Sequence, residues 1–195
     1  MSSTGPIGRY VAALPRGRKY EEGRGAKACV TSWTRIADNS MPPRIKCAAN
    51  YQNGRLANIQ AKLDGYDAAI FLTQHGKVSE GPGEGIFIIR DGIPITPSIT
   101  SDILESITRK TIMQLFRDKF GIESQEREVD RTELYIADEA FFCGTGSEIT
   151  PISSVDRHPL GDGKVGPLTT KLMEAYFGVV RGLDSSCRDW CFPVY

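Results

Sequence analysis

At 195 residues, 40% hydrophobic and 25% charged, the chain is long enough to bury a substantial core, which suits one large domain or a domain with an appended piece. Lysine plus arginine and aspartate plus glutamate stand at 24 each, a balance with no electrostatic pull toward nucleic acid or an anionic membrane. Five cysteines, odd in number and widely spaced with no apolar signal segment ahead of them, argue against a disulfide framework and for a reducing cytoplasm.

Residues 1–27 are rich in basic residues, glycine and proline, with Tyr10-Val11-Ala12-Ala13-Leu14 as their main apolar stretch. They read as a linker between domains with a strand that enters the next unit, and residues 28–195 read as that unit. Ala28–Trp33 is a strand candidate, and Pro42-Pro43 forces an extended turn that leaves Lys46 at the mouth of a helix. The helix runs from Tyr51 to Leu63 and stops at Gly65, with Leu56, Ile59 and Leu63 expected on its buried face. Ala68–Leu72, a turn at His75-Gly76 and Lys77-Val78-Ser79 form a hairpin that delivers Glu80. Ile86–Arg90 turns at Asp91-Gly92 into Ile93-Pro94-Ile95.

A second helix is expected from Thr100 or Ser101, with Asp102 and Glu105 in its first turn, through Ile107, Ile112, Leu115 and Phe116 to Gly121. A strand near Glu126–Val129 and a short helix near Thr132–Ala137 precede the buried strand Ala140–Cys143, which opens into the small-residue loop Gly144–Ser147. The last helix starts at Pro167 and carries Leu168, Leu172, Tyr176, Val179 and Val180 on one side as far as Gly182. Cys187-x3-Cys191 has no histidine near it, so no metal site is expected, and no apolar run reaches the roughly 18 residues that span a bilayer.

Lys46 and Glu80 carry the chemistry. A loop lysine is ordinarily a solvated surface group. Lys46, however, adjoins the small run Cys47-Ala48-Ala49, which leaves room for a flat ring, and an amine in a water-poor seat can form an imine. Glu80 taken alone is a polar turn residue. Beside such a lysine, its carboxylate can hold a pyridine nitrogen protonated, the pair of groups that pyridoxal phosphate needs. Ser106-Ile107-Thr108-Arg109 and Gly144-Thr145-Gly146 are candidate phosphate seats, with capping and turn formation as the ordinary reading of each; Arg109 is left out of the site. Gly161–Gly166 fits G-x-G-x-x-G but lacks the βαβ setting of a dinucleotide fingerprint, so it reads as a surface loop.

The order Lys46-x4-Tyr51, Gly65-Tyr66-Asp67, Ser79-Glu80-Gly81-x-Gly83, Ile107-Thr108-Arg109, Glu133-Leu134-Tyr135-x-Ala137-Asp138-Glu139 and Gly144-Thr145-x-x-Glu148-Ile149-Thr150-Pro151 resembles the class IV aminotransferases, and among them the branched-chain group. The resemblance spans roughly residues 6–195. It implies an α+β fold, the large C-terminal domain of fold type IV, with a mixed sheet or pseudo-barrel and flanking helices. Pyridoxal 5'-phosphate is the implied cofactor, with Lys46 as the Schiff-base lysine and proton shuttle, Glu80 on the pyridine nitrogen and Tyr51 on the ring oxygen. Ile107, Thr108 and Thr145 are implied at the phosphate, and the Thr145-Gly146 backbone at the substrate carboxylate. The implied reaction moves an amine from L-leucine, isoleucine or valine to 2-oxoglutarate in a cytoplasmic homo-oligomer with small-molecule partners, and no nucleic acid or membrane.

Two departures from the family pattern stand out. Gly85 occupies a position where many relatives carry asparagine or another side chain, so a hydrogen bond supporting the glutamate loop is expected to be missing. Family members also carry a smaller N-terminal domain ahead of this region, and the expectation is a shortened form with weak or no activity alone and an apolar surface that favours association. The alternatives are a non-catalytic cofactor-binding remnant or incomplete gene product, and an amino-lyase or D-amino acid transaminase on the same fold.

Overall fold

The structure, a computed structural model, describes residues 8–15 and 23–192. Residues 8–15 have no regular structure and are exposed, and among the described residues of 1–27 strand begins at Ala26; residues 1–7 and 16–22, where the rest of that expectation falls, lie outside the described part. Among the described residues, eight strands form one mixed sheet: β1 (Ala26–Thr34), β2 (Ala68–Leu72), β3 (Gly85–Arg90), β4 (Ile93–Thr96), β5 (Gln125–Glu126), β6 (Glu139–Gly144), β7 (Glu148–Val155) and β8 (His158–Pro159). Their order is β2-β1-β7-β6-β3-β4-β5, with β8 on the end of β7 that β6 leaves unpaired.

Period-two alternation sorts the strand side chains onto two faces. Ala28, Ile70, Ile86, Ile88, Phe142 and Ile152 share one face with Val78, Val129, Leu134 and Leu160 from the loops, so the sheet curls around an apolar filling. The opposite face is covered in two places. Helix α1 (Tyr51–Leu63) lies over β1 and β2, against Cys29, Ala69 and Phe71. Helices α2 (Ile107–Phe120) and α3 (Pro167–Val180) lie over β3 and β6, where Phe87 and Phe141 stack at 5.1 Å between ring centroids. Full burial of each such side chain contributes roughly 1.5–3 kcal/mol. This is the expected α+β architecture of a curled mixed sheet with flanking helices.

Several elements differ from the sequence expectation. Leu56, Ile59 and Leu63 do not form the buried face of α1; they are 36%, 48% and 82% exposed. The buried stripe is Gly54, Ala57 and Ala61, which has the same three-and-four spacing. The helix must come close to its neighbours: a Cβ on Gly54 would stand 2.6 Å from the carbonyl oxygen of Pro82. Only small residues fit there, and the larger apolar ones face outward.

Helix α2 begins at Ile107 rather than Thr100 or Ser101. Its cap is Ser106, whose hydroxyl accepts from the Arg109 N–H at 3.3 Å, so Asp102 and Glu105 belong to the preceding loop. Strand β7 had no sequence expectation, and Pro151 lies within it. Its pairing with β1 starts only at Ile152, so the missing N–H of Pro151 falls outside that ladder. Val180, expected on the buried side of α3, is half exposed, and Thr169 is buried in that helix. Glu139 on β6 reaches the start of α3 and accepts from the N–H groups of Leu168 (3.0 Å) and Thr169 (2.7 Å), which joins helix to sheet.

Candidate functional site

The loop between β1 and α1 is held at two points before it presents Lys46. Arg44 donates to Asp38 at 2.6 Å, to Glu105 at 3.1 Å and to the Ile99 carbonyl at 2.8 Å, joining this loop to the one that leads into α2. The buried Asn50 amide donates to the carbonyls of Pro42 (3.0 Å) and Ile45 (2.9 Å), closing the loop around the residue before Lys46. Lys46 itself is exposed, and its amine has no hydrogen bond or ion pair among the described residues. A short 3-10 turn, Ala48–Asn50, then leads into Tyr51, the first residue of α1. Lys46 therefore stands ahead of the helix, as the proline pair implies.

Glu80 arrives from the other side. Phe71 N–H donates to the Glu80 carbonyl and Ser79 N–H to the Phe71 carbonyl, both at 2.9 Å, so the backbone of residues 79–80 is zipped to β2 and the side chain points away from solvent. Arg35 Nη2 donates to Glu80 Oε1 at 2.6 Å, and the Leu104 N–H is shared between both carboxylate oxygens at 3.2 Å. Burial pushes the Glu80 carboxyl up to about 7, against the pull of Arg35 and Leu104 toward the ionised form. Glu84, four residues on, accepts from the Ser147 hydroxyl at 2.6 Å and so links the glutamate loop to the turn between β6 and β7.

These segments enclose a cleft of about 240 Å³. Lys46, Tyr51, Glu80, Ile107 and Thr145 all line it. Its floor is buried and includes Arg35, Glu80, Gly85, Cys143 and Gly144, while Ile45, Lys46, Tyr51, Ile107 and Thr145 form an exposed rim. Thr108 is buried in the first turn of α2 and Gly146 lies in the β6–β7 turn; both adjoin the cleft in sequence without lining it. Arg109, left out of the site by sequence, is a structural strut: it bonds Thr96 and the Pro97 carbonyl, at 3.0 and 2.9 Å, and pairs with Glu126. Gly85 sits on the floor, where a Cβ would come within 3.3 Å of the Cys143 sulfur.

Sequence reasoning missed Arg35, Arg44, Asn50 and Glu84. Arg35 follows the last residue of β1 with no local pattern to mark it. Asn50 stands where a helix cap is common, yet its side chain closes the preceding loop and makes no cap bond. The floor thiol of Cys143 is pushed up by full burial, which keeps it protonated and unreactive.

The arrangement joins an unpartnered amine at the rim, a buried carboxylate at the floor and a phenol at the start of α1. The N–H groups of Ile107 and Thr108 add donors, since helix geometry gives the first turn no internal acceptor. Glycines 83, 85 and 144 line the cleft without side chains that would fill it. Such a donor set fits a flat, phosphorylated aromatic aldehyde. Among the described residues, no group of His, Cys, Asp and Glu is placed to hold a metal ion, and no helix is long and apolar enough to cross a membrane.

The sequence profile of the family described as "Amino-transferase class IV" matches residues 3–155. A probable branched-chain-amino-acid aminotransferase of Aquifex aeolicus is 45% identical over 179 residues, 92% of this chain and 58% of that protein. The branched-chain-amino-acid aminotransferase of Escherichia coli K12 is 42% identical over 167 residues, 86% of this chain and 54% of its own length. The chain thus spans a little over half of the curated relatives it matches. Among solved structures, the branched-chain amino acid aminotransferase of Thermobaculum terrenum in its PLP (holo) form superposes with a TM-score of 0.89 at 52% identity, covering 93% of this chain and 59% of that one.

Proposed function

The chain belongs to the class IV amino-transferase family, and from that premise we propose that its cleft binds pyridoxal 5'-phosphate and transfers the amine of a branched-chain L-amino acid to 2-oxoglutarate. The observation that carries this reading is that Lys46, Tyr51, Glu80, Ile107 and Thr145, separated by up to a hundred residues in the chain, line one cavity. The cofactor, when bound, supplies an electron sink for breaking bonds at the amino-acid Cα.

The chain's own residues supply the rest. Lys46 Nζ is the amine that would hold the cofactor covalently and, when free, would carry a proton to and from the amino-acid Cα. The Glu80 carboxylate accepts a hydrogen bond from the ring nitrogen and keeps it protonated. Tyr51 donates to the ring oxygen. The N–H groups at the start of α2, with the hydroxyls of Thr108 and Thr145, hold the phosphate. The Thr145-Gly146 backbone receives the substrate carboxylate. With the rim open to solvent, water reaches Lys46, so turnover by these 195 residues alone is slow. The exposed apolar rim also favours a homo-oligomer, and five free thiols suit a reducing cytoplasm.

Single-turnover chemistry tests the reading without requiring fast turnover. The chain is loaded with pyridoxal phosphate and mixed with L-leucine in stoichiometric amount. The expected result is loss of the visible band of the bound cofactor with release of the matching 2-oxo acid, and return of the band on adding 2-oxoglutarate. Reaction with D-leucine alone points to a D-amino acid transaminase, and release of ammonia to an amino-lyase. No change with any amino acid contradicts transfer and leaves cofactor holding as the chain's activity.

A further inference from the structure

Arg35 is a buried cation whose contacts are asymmetric. It is 6% exposed and sits over the face of Phe71, with its guanidinium carbon 5.7 Å from the ring centroid. Nε donates to the Asp102 carbonyl at 3.3 Å and Nη2 donates to Glu80 Oε1 at 2.6 Å, while Nη1 has no partner among the described residues. An arginine and a carboxylate often meet as a two-bonded fork, as Arg127 and Glu133 do in this chain. Here a single bond engages one oxygen. Glu80 Oε2 accepts only a share of the Leu104 N–H, at 3.2 Å.

We propose that Arg35 is a positioning residue that acts through Glu80: by binding Oε1 alone, it fixes the rotation and the charge of the carboxylate while leaving Oε2 to accept from a protonated ring nitrogen. The proposal rests on the function proposed above. The physical reason is the burial of both partners. A carboxylate with so little water around it is ionised to a useful extent near neutral pH only beside a fixed positive charge, and the ionised form is the one that accepts strongly on both oxygens. The neighbouring groups that face Glu80 pull in different directions: Arg35 and the Leu104 N–H favour its charge, and Glu84 opposes it. Arg35 is the only one of these that carries positive charge. With Arg35 in place burial still holds the Glu80 carboxyl at about 7, so it is partly ionised at neutral pH; without Arg35 its midpoint rises further, the neutral form dominates and its oxygens lose the power to hold a ring N–H.

Arg35→Gln, Arg35→Lys, Glu80→Gln and the double variant Arg35→Gln/Glu80→Gln test this in the full chain, with folding checked by circular dichroism. Two readouts are taken: the dissociation constant of pyridoxal phosphate against pH, and the titration of Glu80 followed by carboxyl ¹³C NMR in the ligand-free chain. Arg35→Gln is expected to raise the Glu80 midpoint and to weaken cofactor binding at neutral pH by at least about tenfold, a loss that shrinks as the pH is raised past the new midpoint. Arg35→Lys, which restores charge, is expected to stay within about threefold of wild type. In the Glu80→Gln background, Arg35→Gln is expected to cost nothing further. A merely structural arginine gives equal losses in both backgrounds and leaves the midpoint in place, and either result overturns the assignment while the proposed function stands. Covalent trapping of the cofactor at a residue other than Lys46 overturns the proposed function and this assignment with it.

Discussion

Asn50 and Arg44 decide where Lys46 sits, because an exposed lysine with no partner of its own is placed entirely by its loop. Each Asn50 amide bond is worth about 1 kcal/mol net, and removing the amide leaves the Pro42 and Ile45 carbonyls with only their backbone donors, Ile45 N–H at 3.2 Å and Cys47 N–H at 2.7 Å. Asn50→Ala is therefore expected to lower stability by about 1–2 kcal/mol in urea unfolding and to slow covalent capture of pyridoxal phosphate at Lys46. Unchanged capture kinetics in a destabilised variant contradict the positioning role. At this scale the sequence showed the groups that do chemistry and hid those that aim them. Lys46 and Glu80 stand in recognisable motifs, whereas Arg35 and Arg44 reach partners 45 to 67 residues away, and Asn50, whose partners are five and eight residues back, stands where a cap is the ordinary reading.

At the scale of elements, close approach and charge clustering set the geometry. α1 presses its glycine against the carbonyl of Pro82, two residues past Glu80, so the helix that begins at Tyr51 and the loop that carries Glu80 are braced against each other. Gly54→Val is expected to cost about 1–3 kcal/mol by overpacking. Gly178→Ala, in α3 with open space around its Cβ, is expected to gain about 0.5–1 kcal/mol. Denaturant midpoints of the two variants moving in the same direction contradict this packing account.

The 3-10 turn after β5 is fastened by Glu133, which accepts from Arg127 at 2.9 and 2.7 Å and from Arg90 at 3.2 Å. Arg127 first, with the Asp130 N–H, draws its carboxyl down from 4.5 to about 2. A carboxylate held below its unfolded value adds stability that is present above about 4.5 and lost as pH falls toward 2. Solvent screening limits the contribution to about 1 kcal/mol. Thermal melts of Glu133→Gln and wild type are expected to differ at pH 6 and to converge near pH 2; a gap that persists in acid contradicts the linkage. Element positions were legible where periodicity and turn chemistry agreed, as at the Asp91-Gly92 hairpin. They failed at β7, for which no strand was expected, and where two stripes of equal spacing competed, as in α1.

For the molecule as a whole, the curled sheet brings the loop after β1, the loop after β2, the start of α2 and the β6–β7 turn to one rim, which is why residues so far apart in the chain share a cleft. The fold class was legible through the combined order of motifs; the outward apolar stripe of α1 was not, since its spacing reads equally well as core. That stripe, on a chain with no net charge, favours association. Sedimentation velocity is expected to show concentration-dependent self-association that Ile59→Lys/Leu63→Lys reduces, and a monodisperse monomer at every concentration contradicts it.

The central claim is that the amine at position 46 is the group that takes the cofactor. The direct measurement is borohydride reduction of the chain with pyridoxal phosphate, followed by peptide mapping in wild type, Lys46→Ala and Glu80→Gln. The account predicts a single label on Lys46, none at any site in Lys46→Ala, and weaker labelling at the same residue in Glu80→Gln. Labels spread over surface lysines, equally in all three proteins, contradict it.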